Sequence, residues 1–201
     1  MKVFVIHYKK LTERKPHILD QFKKHNITDY EFIEIDRDEL HDHDISMFQE
    51  NYSKCQIAIS LSHFYAYKQI SDNYEKALIF EDDVILSDKF ESIFNNYMKE
   101  LPEHYDMLFL GDGAKLHIDP SRIIDDVHIY EHGYSRCTDS YVVAKKCATQ
   151  LCEYINESRN INLPIDNWLN IPFLEKKLKI YWAEPTIVTQ GTQNGLFKTS
   201  H

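Results

Sequence analysis

Residues 2–8, KVFVIHY, form a β-branched and aromatic run, and the Thr12-Glu13-Arg14-Lys15-Pro16 stretch after it reads as a helix start with proline in the first turn. Ile18, Leu19 and Phe22, with Ile27 beyond, recur at helical spacing, and residues 30–35 (YEFIEI) then alternate apolar with acidic positions as a half-buried strand does. The pattern predicts β-α-β at the start of the chain. Residues 36–53 are polar, rich in His and Asp and without a period, so a loop with one short helix near 45–51 is expected there.

Ile57, Leu61, Phe64, Tyr65 and Ile70 place a helix over 56–73, which leads directly into a strand at 77–80. Further along, the pattern predicts a helix over 90–101 and a strand over 106–110 that ends in Gly111-Asp112-Gly113. Short strands follow at 127–130 and 140–143, then helices over 144–155 and 167–177, and the tail supplies one more strand and a glycine-punctuated segment. No repeat, low-complexity tract or linker divides this alternation, so residues 1–201 are expected to form a single α/β layered domain. In such sheets ligands collect outside the carboxyl ends of the strands.

Composition narrows the function classes. With 201 residues and 43% hydrophobic content the chain is long enough for one sizeable core, and its net charge of −9 argues against a nucleic-acid partner, because no block of Lys and Arg offers counterion release. No apolar run approaches the length of a membrane span or of a signal-peptide core. Cys55, Cys137, Cys147 and Cys152 have no CxxC spacing and read as reduced thiols. A cytoplasmic protein, with membrane contact at most peripheral, is the expectation.

The segment ALIFEDDVIL (77–86) packs Glu81, Asp82 and Asp83 between apolar runs at the end of a predicted strand. Adjacent anions repel one another and resist desolvation, so such a cluster needs an offsetting charge or an exposed turn. Strand alternation sends Glu81 and Asp83 to one side and Asp82 to the other. Oxygen ligands of this kind suit Mg²⁺ or Mn²⁺, which take one or two carboxylates and complete their shell with water and substrate phosphates. The plainer reading is an acidic solvated turn.

Other candidates are individually ambiguous. His63 lies on the helix upstream, beside Ser60 and Ser62, and could donate a hydrogen bond to a sugar or phosphate, or could simply be satisfied within the core. Arg14 could grip phosphate in a bidentate manner, although a lone helical Arg is more often solvated. Asp166, in Pro164-Ile165-Asp166, stands at a helix start, where it could act as a routine N-cap or as a general base. The chain lacks the GxGxxG, GxxxxGK[ST] and GxSxG patterns, and neither Cys147-x4-Cys152 nor His41-x-His43 has convincing zinc spacing.

Taken in order, VIHYKKLTER, AISLSHFYAYKQI, ALIFEDDVIL, DSYVVAKKCATQL, NLPIDNWL and YWAEPTIVTQ resemble glycosyltransferase family 25, the group of lipooligosaccharide and collagen galactosyltransferases. The resemblance implies a GT-A-like, Rossmann-like nucleotide-sugar fold, a mixed sheet flanked by helices. It also implies inverting, metal-assisted transfer of a hexose, galactose foremost, from a UDP-sugar to a glycan, glycolipid or protein acceptor. By position it assigns Asp166 as base, Arg14, Ser62, His63 and Asp82 to the donor, and Asp83 with Glu81 to the metal, Mn²⁺ or Mg²⁺. The chain departs from the family at His7 and Ala58, where members tend to have Asn and Gly. Two rival readings remain at this level: a metal-dependent sugar-nucleotide hydrolase or nucleotidyltransferase, and a non-catalytic nucleotide-sugar or carbohydrate-binding domain.

Overall fold

The computed structural model describes residues 1–158 and 160–199, so the last two residues of the glycine-punctuated tail lie outside the described residues. Strand β1 (Lys2–Ile6), helix α1 (Arg14–Lys24) and strand β2 (Tyr30–Ile33) form the expected opening unit, with β1 and β2 parallel. The polar stretch after it holds a single short helix, α2 (Asp42–Ile45), just before the place expected. Ser53 starts α3 (Lys54–Asn73) with a capping box: its side chain accepts the Gln56 N–H, and the Gln56 side chain returns the bond to the Ser53 backbone. Strand β3 (Lys76–Glu81) follows, and β4 (Val84–Leu86), α4 (Phe90–Glu100), β5 (Met107–Phe109) and β6 (Ile129–Glu131) come next. The chain continues through β7 (Ser140–Ala144), α5 (Lys145–Glu157), α6 (Ile165–Trp168), α7 (Asn170–Glu175), β8 (Ile180–Ala183) and β9 (Val188–Gln190).

Where periodicity predicts one helix over 167–177, two short ones form. Pro172 has no N–H to donate to the Trp168 carbonyl, so the ladder breaks at Leu169. Asp166 does not cap α6; Pro164 holds that position, and Asp166 stands in the first turn, its Oδ1 accepting the Asn167 N–H at 2.9 Å. The pair β4 and β9, antiparallel to each other, was not foreseen, because Val84 and Gln190, far apart in the chain, meet only in the fold.

Seven strands make one mixed sheet in the order β2-β1-β3-β7-β5-β8-β6, with β7 and β6 running against the others. Alternation along the central strands assigns its two faces. Phe4, Ile6, Ala77, Ile79, Tyr141 and Val143 face the layer of α3 and α5, packing with Tyr67, Ile70 and Leu151. Val3, Val5, Leu78, Phe80 and Val142 face α1 and α4, against Ile18, Phe22, Phe90 and Tyr97. Burying each such large side chain contributes roughly 1.5–3 kcal/mol, so a sheet apolar on both faces is the main source of stability. Among the described residues no helix is long and apolar enough to cross a membrane.

Candidate active site

The same alternation, continued past Phe80, sorts the three anions. Glu81 follows Ala77 and Ile79 toward α3, whereas Asp82 follows Leu78 and Phe80 toward α1. There Arg14, the first residue of α1, donates from Nη1 to Asp82 Oδ1 at 2.8 Å, and His7 Nδ1 lies 2.7 Å from Oδ2. Arg14 and Asp82 are 5% and 4% exposed, so this is a buried ion pair completed by a histidine. Both oxygens of Asp82 are engaged inside the fold, and Asp82 does not line the cavity described below; the side chain expected at the donor is placed as an internal anchor.

Asp83 turns back to the opposite side. Together with Glu81, Arg14 and Asp166 it lines a cavity of about 620 Å³, which also has Cys55, Thr138 and Thr192 in its wall. That size lies in the range of small-ligand sites. The cavity sits at the carboxyl end of β3, beside the segment that leads into β7, and open α/β sheets bind ligands outside such strand ends.

The tail builds one side of the site. Gly191 N–H donates to the Asp83 carbonyl at 2.7 Å, and both the backbone N–H and the hydroxyl of Thr192 donate to Asp83 Oδ2. A Cβ at Gly191 would lie 2.7 Å from the Phe197 ring and 2.9 Å from the Asp83 carbonyl oxygen, so only glycine lets the chain pass here. Arg14 Nη2 donates to the Lys198 carbonyl at 2.8 Å, and its guanidinium lies 5.4 Å from the Phe197 ring centroid.

Several buried atoms around the acidic pair lack a hydrogen-bond partner: Asp83 Oδ1, Asp139 Oδ1 and His63 Nε2. Burial, reinforced by the charge of Glu81, pushes the Asp83 carboxyl above its usual range. Asp139, fully buried at the start of β7, is pushed well above that range by the same causes. Burial also raises the Cys137 thiol to about 12. These are the marks of acidic groups crowded into a desolvated site. Among the described residues no group of three or more His, Cys, Asp or Glu is spaced to hold a metal ion. Two carboxylates with an orphaned oxygen nevertheless fit Mg²⁺ or Mn²⁺, whose remaining ligands are commonly water and phosphate oxygens.

Ser62 and His63 are placed outside the cavity wall. Ser62 Oγ donates back to the Ala58 carbonyl at 2.8 Å, and His63 is fully buried behind Glu81. Thr138, Asp139 and Thr192 were missed by sequence reasoning, since nothing local distinguishes them from ordinary strand-end residues. The Gly111-Asp112-Gly113 turn carried the one available hint: a Cβ at Gly111 would lie 1.9 Å from Asp139 Oδ2, and one at Gly113 2.4 Å from Cys137 Cβ. These glycines make room for the 137–139 segment.

The family model described as glycosyltransferase family 25 (LPS biosynthesis protein) matches residues 1–169. No curated protein matches the chain. Among solved structures, a glycosyltransferase involved in glycosylation of the major capsid of PBCV-1 is similar over 94% of this chain and 92% of its own, at 9% identity and a TM-score of 0.55. A Drosophila β1,4-galactosyltransferase 7 mutant, in complex with manganese, UDP-Gal and xylobiose, is matched over 92% of this chain at 15% identity and a TM-score of 0.47, and the chain spans 65% of its length. Mouse xyloside xylosyltransferase 1 is matched over 96% of this chain and 84% of its own, at 9% identity and a TM-score of 0.45.

Proposed function

The chain belongs to glycosyltransferase family 25, its fold is the GT-A-like mixed sheet, and from that premise we propose a metal-assisted, inverting hexosyltransferase built as one catalytic domain. Its donor is a UDP-sugar, galactose being the first candidate on the family resemblance, and its acceptor is a hydroxyl of a glycan or glycolipid. The observation that carries this reading is the convergence of Glu81, Asp83, Arg14 and Asp166 on one cavity, with a buried oxygen of Asp83 unpartnered.

Glu81 and Asp83 would hold the divalent cation, Mn²⁺ or Mg²⁺, which when bound supplies positive charge to the donor diphosphate. Arg14, fixed by Asp82 and the Lys198 carbonyl, lines the same cavity, and its buried Nε has no hydrogen-bond partner within the fold. Asp166 enters from α6. The single N–H it accepts from Asn167 leaves acceptor capacity on a carboxylate that has about four lone-pair sites. It takes the proton of the acceptor hydroxyl as that oxygen bonds to C1; the C1–O bond to the diphosphate breaks on the other face, and UDP leaves with the electron pair. A positioned base contributes roughly 10²- to 10⁴-fold.

The test is UDP release from a panel of UDP-sugars with Mn²⁺, with and without saccharide acceptors, and mass spectrometry of the products. Acceptor-dependent release and a lengthened glycan are expected. Asp166→Asn should lower turnover by roughly 10²- to 10⁴-fold while UDP still binds. Free hexose as the only sugar product would favour the hydrolase, and full turnover by a Glu81→Gln, Asp83→Asn double variant would end the metal reading.

A further inference from the structure

Behind Glu81, in the apolar layer between α3 and the sheet, three fully buried polar side chains form a line. Tyr67 Oη lies 2.8 Å from Tyr141 Oη, which lies 2.7 Å from His63 Nδ1. The other ring nitrogen, His63 Nε2, is 3.7 Å from Glu81 Oε1 and has no hydrogen-bond partner. That same Oε1 accepts the Thr138 hydroxyl at 3.0 Å.

For a neutral imidazole, counting protons selects one direction of the line. Burial pushes both phenols upward, so each keeps its single proton at neutral pH. If Tyr67 donates to Tyr141 and Tyr141 donates to Nδ1, both phenolic protons have an acceptor, and the proton of a neutral imidazole is on Nε2, facing the Glu81 carboxylate. The reverse assignment leaves the Tyr67 O–H without an acceptor along the line and turns a bare nitrogen lone pair toward an anion. Both consequences are unfavourable in a low-dielectric layer.

We propose that Tyr67, Tyr141 and His63 are a positioning chain for Glu81. Tyr141 fixes His63 with its proton on Nε2, where that N–H faces Oε1 from 3.7 Å as a local positive dipole, and the Thr138 hydroxyl hydrogen-bonds Oε1, so that Oε2 is presented to the cation of the donor complex. The proposal rests on the metal reading above and extends it to residues that touch neither cation nor sugar. It also accounts for a histidine with no access to the cavity standing directly behind a cavity carboxylate.

The experiment measures Mn²⁺ binding by electron paramagnetic resonance of the free ion, in the presence of UDP and without turnover, for wild type, Tyr141→Phe and Tyr67→Phe, with melting temperatures recorded for all three. Tyr141→Phe, which leaves Nδ1 without its proton donor, is expected to weaken Mn²⁺ binding by roughly 10- to 100-fold, as loss of groups supporting a ligand commonly does. Tyr67→Phe leaves the Tyr141-to-His63 bond in place and should weaken binding far less, although each variant loses one buried hydroxyl. A merely structural role moves the two melting temperatures and leaves Mn²⁺ affinity unchanged, which would overturn the proposal. Nitrogen-15 NMR of His63 in the metal-free wild type is the second readout, independent of any variant's folding: an Nε2–H tautomer supports the chain and an Nδ1–H tautomer overturns it. Absence of Mn²⁺ binding in the wild type sinks the metal reading and the cation-directed role with it; wild-type binding with unaltered affinity in Tyr141→Phe sinks the chain alone.

Discussion

Asp82→Ala separates the three adjacent acids by the kind of work each does. In the wild type Asp82 and Arg14 are paired at 2.8 Å with side chains 5% and 6% exposed, and His7 closes the second oxygen. Removing the carboxylate leaves a guanidinium buried without its anion, still bonded to the Lys198 carbonyl but uncompensated in charge. Breaking such a pair from one side costs about 3–5 kcal/mol. For a chain of this size each kcal/mol corresponds to about 2–4 °C, so the melting temperature should fall by roughly 6–20 °C. Asp83→Asn should behave in the opposite way. Its carboxyl is held above the usual range by burial and by Glu81, so the native state binds that proton more tightly than the unfolded chain does. The wild type therefore loses stability as pH rises from the ordinary carboxylate range toward the raised native value. Asn keeps an acceptor for Thr192 without the charge, so the metal-free variant should melt higher than wild type at neutral pH and lose that advantage in acid. Differential scanning calorimetry of both variants over a pH series, with Mn²⁺ binding below the melting range, makes the comparison. An Asp82→Ala protein that melts within 2 °C (roughly 1 kcal/mol) of wild type and no longer binds Mn²⁺ would refute the division.

Gly111→Ala places a Cβ 1.9 Å from Asp139 Oδ2 and 2.7 Å from Ser140 Oγ, so overpacking should cost roughly 1–3 kcal/mol by thermal melting. Adding Asp139→Ala should restore most of the loss, and equal instability of the single and double variants would refute that contact as the cause. Cys137, its thiol pushed by burial to about 12, and the fully buried Cys147 should resist iodoacetamide in the folded protein at pH 8 (roughly the onset of ordinary cysteine ionisation), as read by peptide mass spectrometry. Modification at the rate of a free thiol would contradict the raised thiol of the partly buried Cys137 or the full burial of Cys147.

How far the site was legible follows from the range over which each signal acts. Period-two alternation is local, and it placed Val3 and Val5 opposite Phe4 and Ile6, and, two residues past the core, Glu81 and Asp82 on opposite sides of the sheet. Breaks that depend on one residue, such as Pro172 within the expected last helix, were visible in principle; the capping box of Ser53 and Gln56 was too. The partners were not. Arg14 reaches Asp82 across 68 positions, His63 reaches Tyr141 across 78, and Thr192 reaches Asp83 across 109, and no periodicity in one chain encodes such pairings. The desolvation problem of three neighbouring anions could be posed from the sequence, whereas its solution required the fold, because the solution is unequal. Asp82 is neutralised from within by Arg14 and has His7 within hydrogen-bond distance of its second oxygen. Glu81 and Asp83 are bonded by hydroxyls and an N–H group rather than by a cationic side chain, and Asp83 retains a buried oxygen with no partner. Of the three adjacent acids, the two that the fold does not pair with Arg14 are therefore the two that line the cavity, where a ligand's positive charge can reach them.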